Sequence, residues 1–363
     1  MKIDSFLGIH NTTSKRDIPD EALQDAVDVD ITNSGGLIAR NAATLSKSLE
    51  IDAAYTTLDN VTYIVSGGHL YRVDASLGLY DLGETTATEF ADYQGYLFTN
   101  DAKQVYRNVV TDLVVPVPVA PQVAISAGSL PAGIYHVAMT YTNADQLEGG
   151  HSEIVTIEID DNSDILVTPV DLAGYTTNVY MTDAGGSTLY NVDDLIPLSE
   201  SQYAANKFPA YADKIEYHEG RLYLTIQFGE YTEVLFSKPN RFHLYDYESD
   251  YFVITGEVLD MKSTPSGLVI GTANAIYAYQ DGVVTQLADY GVVPGKSMVS
   301  MPDSSILIHS TRGICQALPF KNITEDHVSL PMGSKCAAVL MNSDGIQRYV
   351  GLHDGQGDAY NQF

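Results

Sequence analysis

A short unit recurs along this chain: a polar or glycine-bearing turn, a strand of alternating apolar residues, a brief polar link and a second strand. It occurs at QGYLFTN (Gln94 to Asn100), EGRLYLT (Glu219 to Thr225), SGLVIGT (Ser266 to Thr272) and DSSILIHS (Asp303 to Ser310). The second strands are KQVYRNV (Lys103 to Val109), TEVLFSK (Thr232 to Lys238), NAIYAYQDG (Asn274 to Gly282) and RGICQAL (Arg312 to Leu318), and GVVTQLAD (Gly282 to Asp289) adds a third. Period-two alternation closed by Gly, Asn or Asp is the signature of short strands. From Gly267 onward the units start roughly 38 residues apart, and YIVSGGHLYRV (Tyr63 to Val73) precedes its successor by roughly 31, close to the period of propeller blades. A meander of this size cannot bury its own faces, so several must pack around an axis. Five units are recognisable. A sixth is expected from KCAAVLM and IQRYVGL (Lys335 to Leu352), closed by GLIARNAATL (Gly36 to Leu45), because joining the chain ends shields sheet edges.

Composition agrees with an all-β chain: 25 Tyr and no Trp, with 29 Gly and 14 Pro, describe tyrosine-bearing strands separated by turns. Only Pro19 to Ala26 and Ser199 to Phe208 read as short helices. One segment breaks the period. Between Pro121 and Pro197 the chain alternates cleanly, with Ile134, His136, Ala138 and Thr140 against Tyr135, Val137, Met139 and Tyr141. This predicts an immunoglobulin or fibronectin-like β-sandwich inserted into a β-propeller of five or six blades. The expected division is 1–120 for the closing strand and first blades, 121–197 for the sandwich and 198–363 for the remaining blades. The proline-rich LVVPVPVAP (Leu113 to Pro121) is expected to hold the inserted module away from the propeller.

Lys and Arg number 19 against 47 Asp and Glu, a net charge of -28, so the surface repels phosphate backbones and anionic lipid and tight nucleic-acid binding is excluded. No apolar run has the length of a membrane span or export signal. Cys315 and Cys336 are too few for a disulfide framework, lack metal spacing and suit a reducing cytoplasm as small buried apolar residues. The common nucleotide, hydrolase and metalloprotease motifs do not occur. No catalytic, cofactor-binding or metal residues are assigned, and no enzymatic activity is expected. Asp28, Asp30 and Thr32 alternate as oxygen ligands could, but the bidentate acid expected further on is missing and strand alternation explains them equally well. Asp160 to Asp164 (DDNSD) reads as a solvated hairpin loop. His218 with Glu219, and Tyr245 to Tyr251 (YDYESDY), are the candidates for an acid/base pair and an acidic aromatic glycan cleft, chemistry that requires paired carboxylates at fixed separation.

The opening FLGIHN followed by LQDAVDVDITNSGGLIARNAATL resembles that of the packaged-DNA stabilisation or tail-hub (nozzle) proteins of tailed bacteriophages. The matching residues are Gly8, Ile9, Asn11, Leu23, Ala26, Val29, Asp30, Gly36, Ile38 and Arg40; Asp28, Asn41 and Ala42 depart from the family's pattern. The inserted segment is similar to the family's through Gly133, Tyr135, Tyr141, Gly150 and Ser152, and TTNVYMT is similar to its N-V-Y-R-T strand. In the closing hairpin, Leu37 and Ala39 would face one way and Ile38 and Arg40 the other, with Arg40 orienting against an acid. The resemblance implies a structural protein of the virion tail, made in the host cytoplasm. It would form a homo-oligomeric ring of six subunits below the portal or adaptor ring, beside tail fibre or tail tip proteins. Double-stranded DNA would pass without tight binding, with no membrane and no cofactor. Acids of the sign of DNA would then line the channel, with Asp246, Glu248 and Asp250 as the candidate cluster. The alternatives are a tail-tip or receptor- and glycan-binding propeller, a glycan hydrolase, and a host scaffold propeller.

Overall fold

The computed structural model describes residues 48–203 and 205–325 continuously, with residues 8–12, 17–18, 22–24, 29–31, 37–39, 328, 333–343, 346–354 and 361–362. The chain forms two compact units, one of Glu50–Ile226 and Glu233–Val253, the other of Met1–Leu49, Gln227–Thr232 and Ile254–Phe363. Its fold class is all-β, of the propeller type with an inserted sandwich, and the repeating element is the four-stranded antiparallel meander.

The first unit holds three meanders. The first runs through Ala53–Thr56, Thr62–Ser66, His69–Val73 and Leu79–Glu84, and the second through Phe90–Tyr93, Tyr96–Thr99, Lys103–Tyr106 and Val109–Asp112. The third comprises Ile215–His218, Arg221–Phe228, Tyr231–Lys238 and Arg241–Tyr245, with Tyr251–Thr255 pairing alongside Tyr231–Lys238. Successive meanders pack face on face. Tyr63, Val65 and Leu70 of the first meet Phe90, Leu97 and Val105 of the second, while Ala91 and Phe98 of the second share a core with Ile215, Leu222, Leu224 and Tyr245 of the third. The packing demanded by two-faced meanders is therefore met by their neighbours.

The second unit repeats the plan. The fourth meander is Val258–Thr264, Gly267–Thr272, Ile276–Gln280 and Val283–Ala288, and the fifth is Met298–Ser300, Ile306–Ser310, Gly313–Ala317 and Lys321–Asn322. Val269, Ile276, Met298, Ile306, Ile308 and Cys315 form the core between them. A sixth sheet uses Cys336–Ser343, Ile346–His353 and Asn361–Gln362, with Gly295–Lys296 added in parallel. Of the segment expected to close this sheet, Leu37–Ala39 pairs with Val29–Ile31 as a hairpin. Gly36 and Arg40 to Leu45 lie outside the described residues.

A buried hydroxyl ends the second strand of three of the repeats picked out in the sequence, and in the other Thr225 lies inside Arg221–Phe228. Thr99 Oγ1 accepts from Lys103 N, Thr225 Oγ1 accepts from Lys214 N, Thr272 Oγ1 donates to the Ala275 carbonyl and Ser310 Oγ donates to that of Gly313. All four residues are fully buried. At Thr99, Thr272 and Ser310 the hydroxyl satisfies groups of the following turn, and at Thr225 it satisfies an amide just before the partner strand Ile215–His218, so a buried polar side chain here is architectural.

Both helix expectations are corrected. Ala22–Leu23 is a strand pairing in parallel with Gly8–Ile9, and the rest of that predicted helix falls mostly outside the described residues. The second reduces to a single 3₁₀ turn, Glu200–Gln202, held by a capping box between Ser199 and Gln202.

Candidate functional site

An open cleft of 580 Å³ lies between the first and second meanders, lined by the Gly67–Gly68 turn, His69, Glu84, Thr85, Thr86, Asp101 and Lys103. Asp101 sits at its floor and accepts hydrogen bonds from Thr99 Oγ1 (2.5 Å), Thr85 Oγ1 (2.7 Å) and Thr86 N (2.9 Å), with Lys103 Nζ at 3.7 Å. Burial disfavours its charge, but the hydrogen bonds from Thr99, Thr85 and Thr86 and the Lys103 ammonium outweigh it, holding the carboxyl below the usual range. Lys103 also donates to the Glu84 carbonyl. At the rim His69 Nδ1 lies 3.2 Å from Asp81, whose carboxyl is lowered by the Gly83 amide and then by His69. The charged groups of the floor are thus consumed in joining two meanders. Sequence inspection missed Asp101 as such a pin, although the T-x-D spacing of Thr99 and Asp101 is its signal.

The same device recurs. Asp92, third residue of its strand, accepts from Tyr55 OH (2.6 Å) and Leu58 N (3.1 Å) on the preceding meander. Asp260, third residue of its own first strand, accepts from Ser297 N and Met298 N, both at 2.8 Å, and from Ser297 Oγ at 3.3 Å beside the next meander. The readable pattern is apolar-apolar-Asp at the start of a repeat, FAD and VLD.

The sequence candidates separate. His218 is buried and its imidazole pKa is lowered by that burial, whereas the Glu219 carboxylate is exposed and 3.9 Å away, too far for a direct hydrogen bond. Asp246 and Asp250 are engaged in ion pairs. Lys238 Nζ lies 2.8 Å from Asp250 and 3.4 Å from Asp246, Arg221 lies 3.9 Å from Asp250, and Ser249 Oγ and Glu248 N donate to Asp246. Both carboxylates are mostly buried ion-pair partners that close the loop before Tyr251; only Glu248 of the three faces solvent. Asp160 to Asn162 form an exposed tight turn, with Asn162 at φ 65°, but the expected hairpin is corrected: the flanking strands Val155–Ile159 and Ser163–Thr168 belong to different sheets, and Asp164 lies in the second of them. Asp30 pairs with Ile38 in a hairpin, and Asp28 and Thr32 lie outside the described residues. Among the described residues no group of three or more His, Cys, Asp or Glu is placed to hold a metal ion, and no helix is long and apolar enough to cross a membrane. Cys315 and Cys336 are free and buried, and burial raises both thiols, that of Cys336 to about 12.

The inserted module is built from two sheets. Its four-stranded sheet is ordered Val155–Ile159, Gly133–Thr142, Thr176–Met181 and Tyr190–Asn191, and its second sheet pairs Gln122–Leu130 with Ser163–Thr168. Tyr135, Val137, Met139 and Tyr141 are all buried on one face, as the alternation predicts. The detached placement is corrected. Leu113 and Val115 of the proline-rich lead-in are buried, Asn143 donates to the Asp112 carbonyl (3.1 Å), His243 Nε2 lies 2.9 Å from the Glu148 carbonyl, and Gln202 Nε2 donates to that of Gly149 (3.3 Å). A Cβ on Gly150 would sit 2.0 Å from the Ala205 carbonyl oxygen, so the docking requires glycine there. The Glu148 carboxylate accepts from Thr140, from Asn178 (3.1 Å) and from Tyr180 OH (2.7 Å), raising the Tyr180 hydroxyl through burial and then through that bond.

No family model matches the chain, and no curated protein does. Among solved structures it is similar to the Dos1 propeller, at 9% identity and a TM-score of 0.40 over 91% of this chain and 80% of that one. It is also similar to the extracellular domain of a hybrid two-component system of B. thetaiotaomicron, at 10% identity and a TM-score of 0.34 over 93% of this chain, which spans 39% of that protein's length. BBS1N in complex with ARL6DN is a further neighbour, at 10% identity and a TM-score of 0.37 over 90% and 82%.

Proposed function

We propose that the chain is a structural component of a bacteriophage tail, working without catalysis. In this reading it forms a ring below the portal or adaptor, extends the DNA channel and helps to retain and release the genome. The observation that supports this reading is the coherence of the residues carrying the family resemblance. Gly133 sits at φ 153°, Tyr135 OH donates to the Pro131 carbonyl (2.9 Å), Tyr141 OH donates to that of Val170 (2.6 Å), and Ser152 Oγ accepts from Met139 N (3.1 Å). With Gly150, these residues shape the inserted module and its seat on the meanders, which is what a motif that specifies an outrigger domain would contain. Packed meanders with a docked outrigger module offer two different surfaces, as head-to-tail contacts in a cyclic ring require.

The test is quantitative mass spectrometry of purified phage particles, calibrated against the major capsid protein. About six or twelve copies per particle is the expected result for a symmetric ring. Absence from particles overturns the tail reading. Incubation with bacterial polysaccharide then separates a glycan-binding propeller from a hydrolase by whether the polymer is shortened.

A further inference from the structure

The second sheet of the inserted module is a two-stranded ribbon with both outer edges unpaired among the described residues: Gln122–Leu130 and Ser163–Thr168 pair only with each other. Gln122–Leu130 reads QVAISAGSL, nine residues with no charge and no proline, in a chain that is 18% charged. It is also open to solvent: every residue except Val123 and Leu130 is exposed, with Ile125 at 59%, and on the partner strand Leu166 stands at 57%. Exposed edges are normally blunted by lysine, proline or inward charge, because a bare row of N–H and C=O groups templates pairing with another chain. This edge carries none of those guards. Its one irregularity, a register shift between Ala127 and Leu130, lies at the far end of the strand.

Charge selects the occupant. A chain of net charge -28 repels its own copies over most of its surface, so copies meet best where the surface carries almost no charge. The ribbon is such a place: its two strands together hold one acid, Asp164. Its two free edges differ, so joining one to the other propagates in one direction. We infer that a second copy of this chain adds the free edge of its Ser163–Thr168 strand to the free edge of Gln122–Leu130, making the ribbon the head-to-tail contact between subunits. Main-chain hydrogen bonds supply the attachment, and Ile125 and Leu166 supply apolar cover on either side. Assigning this contact to the tail ring rests on the reading above; the contact itself does not.

The experiment measures sedimentation of the full chain up to millimolar concentration, together with amide hydrogen exchange over 122–130. The comparison is with Ile125→Lys/Ala127→Lys and with a control, Leu58→Lys, at a site that is 81% exposed in the first meander. The expected result is concentration-dependent growth beyond the dimer, slowed exchange of the 122–130 amides as it grows, loss of both in the double variant and retention in the control. A wild-type chain that stays monomeric, an assembly that stops at two copies, or a double variant that assembles like the wild type overturns the contact. The exchange measurement on the wild type alone decides the matter should the double variant fail to fold. Absence from phage particles would remove the tail reading and leave the sedimentation result standing.

Discussion

Replacing Asp260 isolates the carboxylate pin between the fourth and fifth meanders. Its Oδ2 accepts two main-chain N–H groups at 2.8 Å and the Ser297 hydroxyl at 3.3 Å, and both donor residues are buried, Ser297 at 0% and Met298 at 3% exposure. Asp260→Ala strands two buried amides. At about 1–3 kcal/mol for each buried donor left unsatisfied, with partial relief from relaxation, the loss is about 3 kcal/mol. Asp260→Asn can turn its carbonyl oxygen toward the same donors, so it keeps those bonds, gives up the charge and the local bond from Met261 N, and is expected to be less damaging than alanine. With no Trp and 25 Tyr, urea unfolding followed by tyrosine fluorescence reports the transition. An alanine variant within about 0.5 kcal/mol of wild type, or an asparagine variant as damaged as alanine, refutes the pin, since surface changes stay within that margin.

Lys238→Met leaves Asp246 and Asp250 facing each other without their shared cation and is expected to cost about 3 kcal/mol, while Glu248→Lys on the same loop leaves the urea midpoint unchanged. Gly150→Ala drives a methyl into the Ala205 carbonyl and is expected to cost about 2 kcal/mol or more, against about 1 kcal/mol for Gly185→Ala, whose φ of 68° is strained but whose surroundings are open. Protease nicking of the inserted module measures the difference, and equal sensitivity of the two variants counts against the docked seat. The lowered pKa of Asp101 stabilises the fold above the unfolded carboxylate pKa, and that stabilisation is lost as pH falls through the folded value. Asp101→Asn is therefore less stable at neutral pH and shows a shallower acid-induced loss; an unchanged acid profile contradicts the assigned bonds.

The sequence makes the repeats legible because a strand that buries one or both faces cannot hide its period. QGYLFTN, EGRLYLT, SGLVIGT and DSSILIHS all became second strands, and the terminal Thr or Ser of three of them proved to be a turn acceptor or donor. What stayed illegible was decided at long range. Nothing local in LVVPVPVAP distinguishes an extended spacer from a packed one, and its burial depends on residues arriving from elsewhere in the chain: Phe98 and Tyr245 share a core with Leu113, and the Tyr175 hydroxyl reaches the Val114 carbonyl. The helical look of Pro19 to Ala26 was likewise overridden, because two residues of strand pairing with Gly8–Ile9 outweigh a weak local preference. Asp246 and Asp250 looked like free surface acid for the same reason: their cations, Lys238 and Arg221, belong to other strands.

Those two aspartates change how the net charge should be read. Asp92, Asp101, Asp246, Asp260 and Asp354 each accept main-chain hydrogen bonds, and Asp74 and Asp303 do so within their own turns. An aspartate so engaged still carries its charge, but its position is dictated by the backbone it serves. A share of the acidity of the chain therefore follows from building short strands joined by tight turns, whatever passes nearby. A channel field would have to come from acids without such duties, such as Glu248 and the exposed Asp289, and screening confines their reach to about 8 Å at physiological salt. The uncharged ribbon is informative for the converse reason. In a chain that places aspartate at turn after turn, fifteen ribbon positions with one acid leave the main chain itself as the surface on offer.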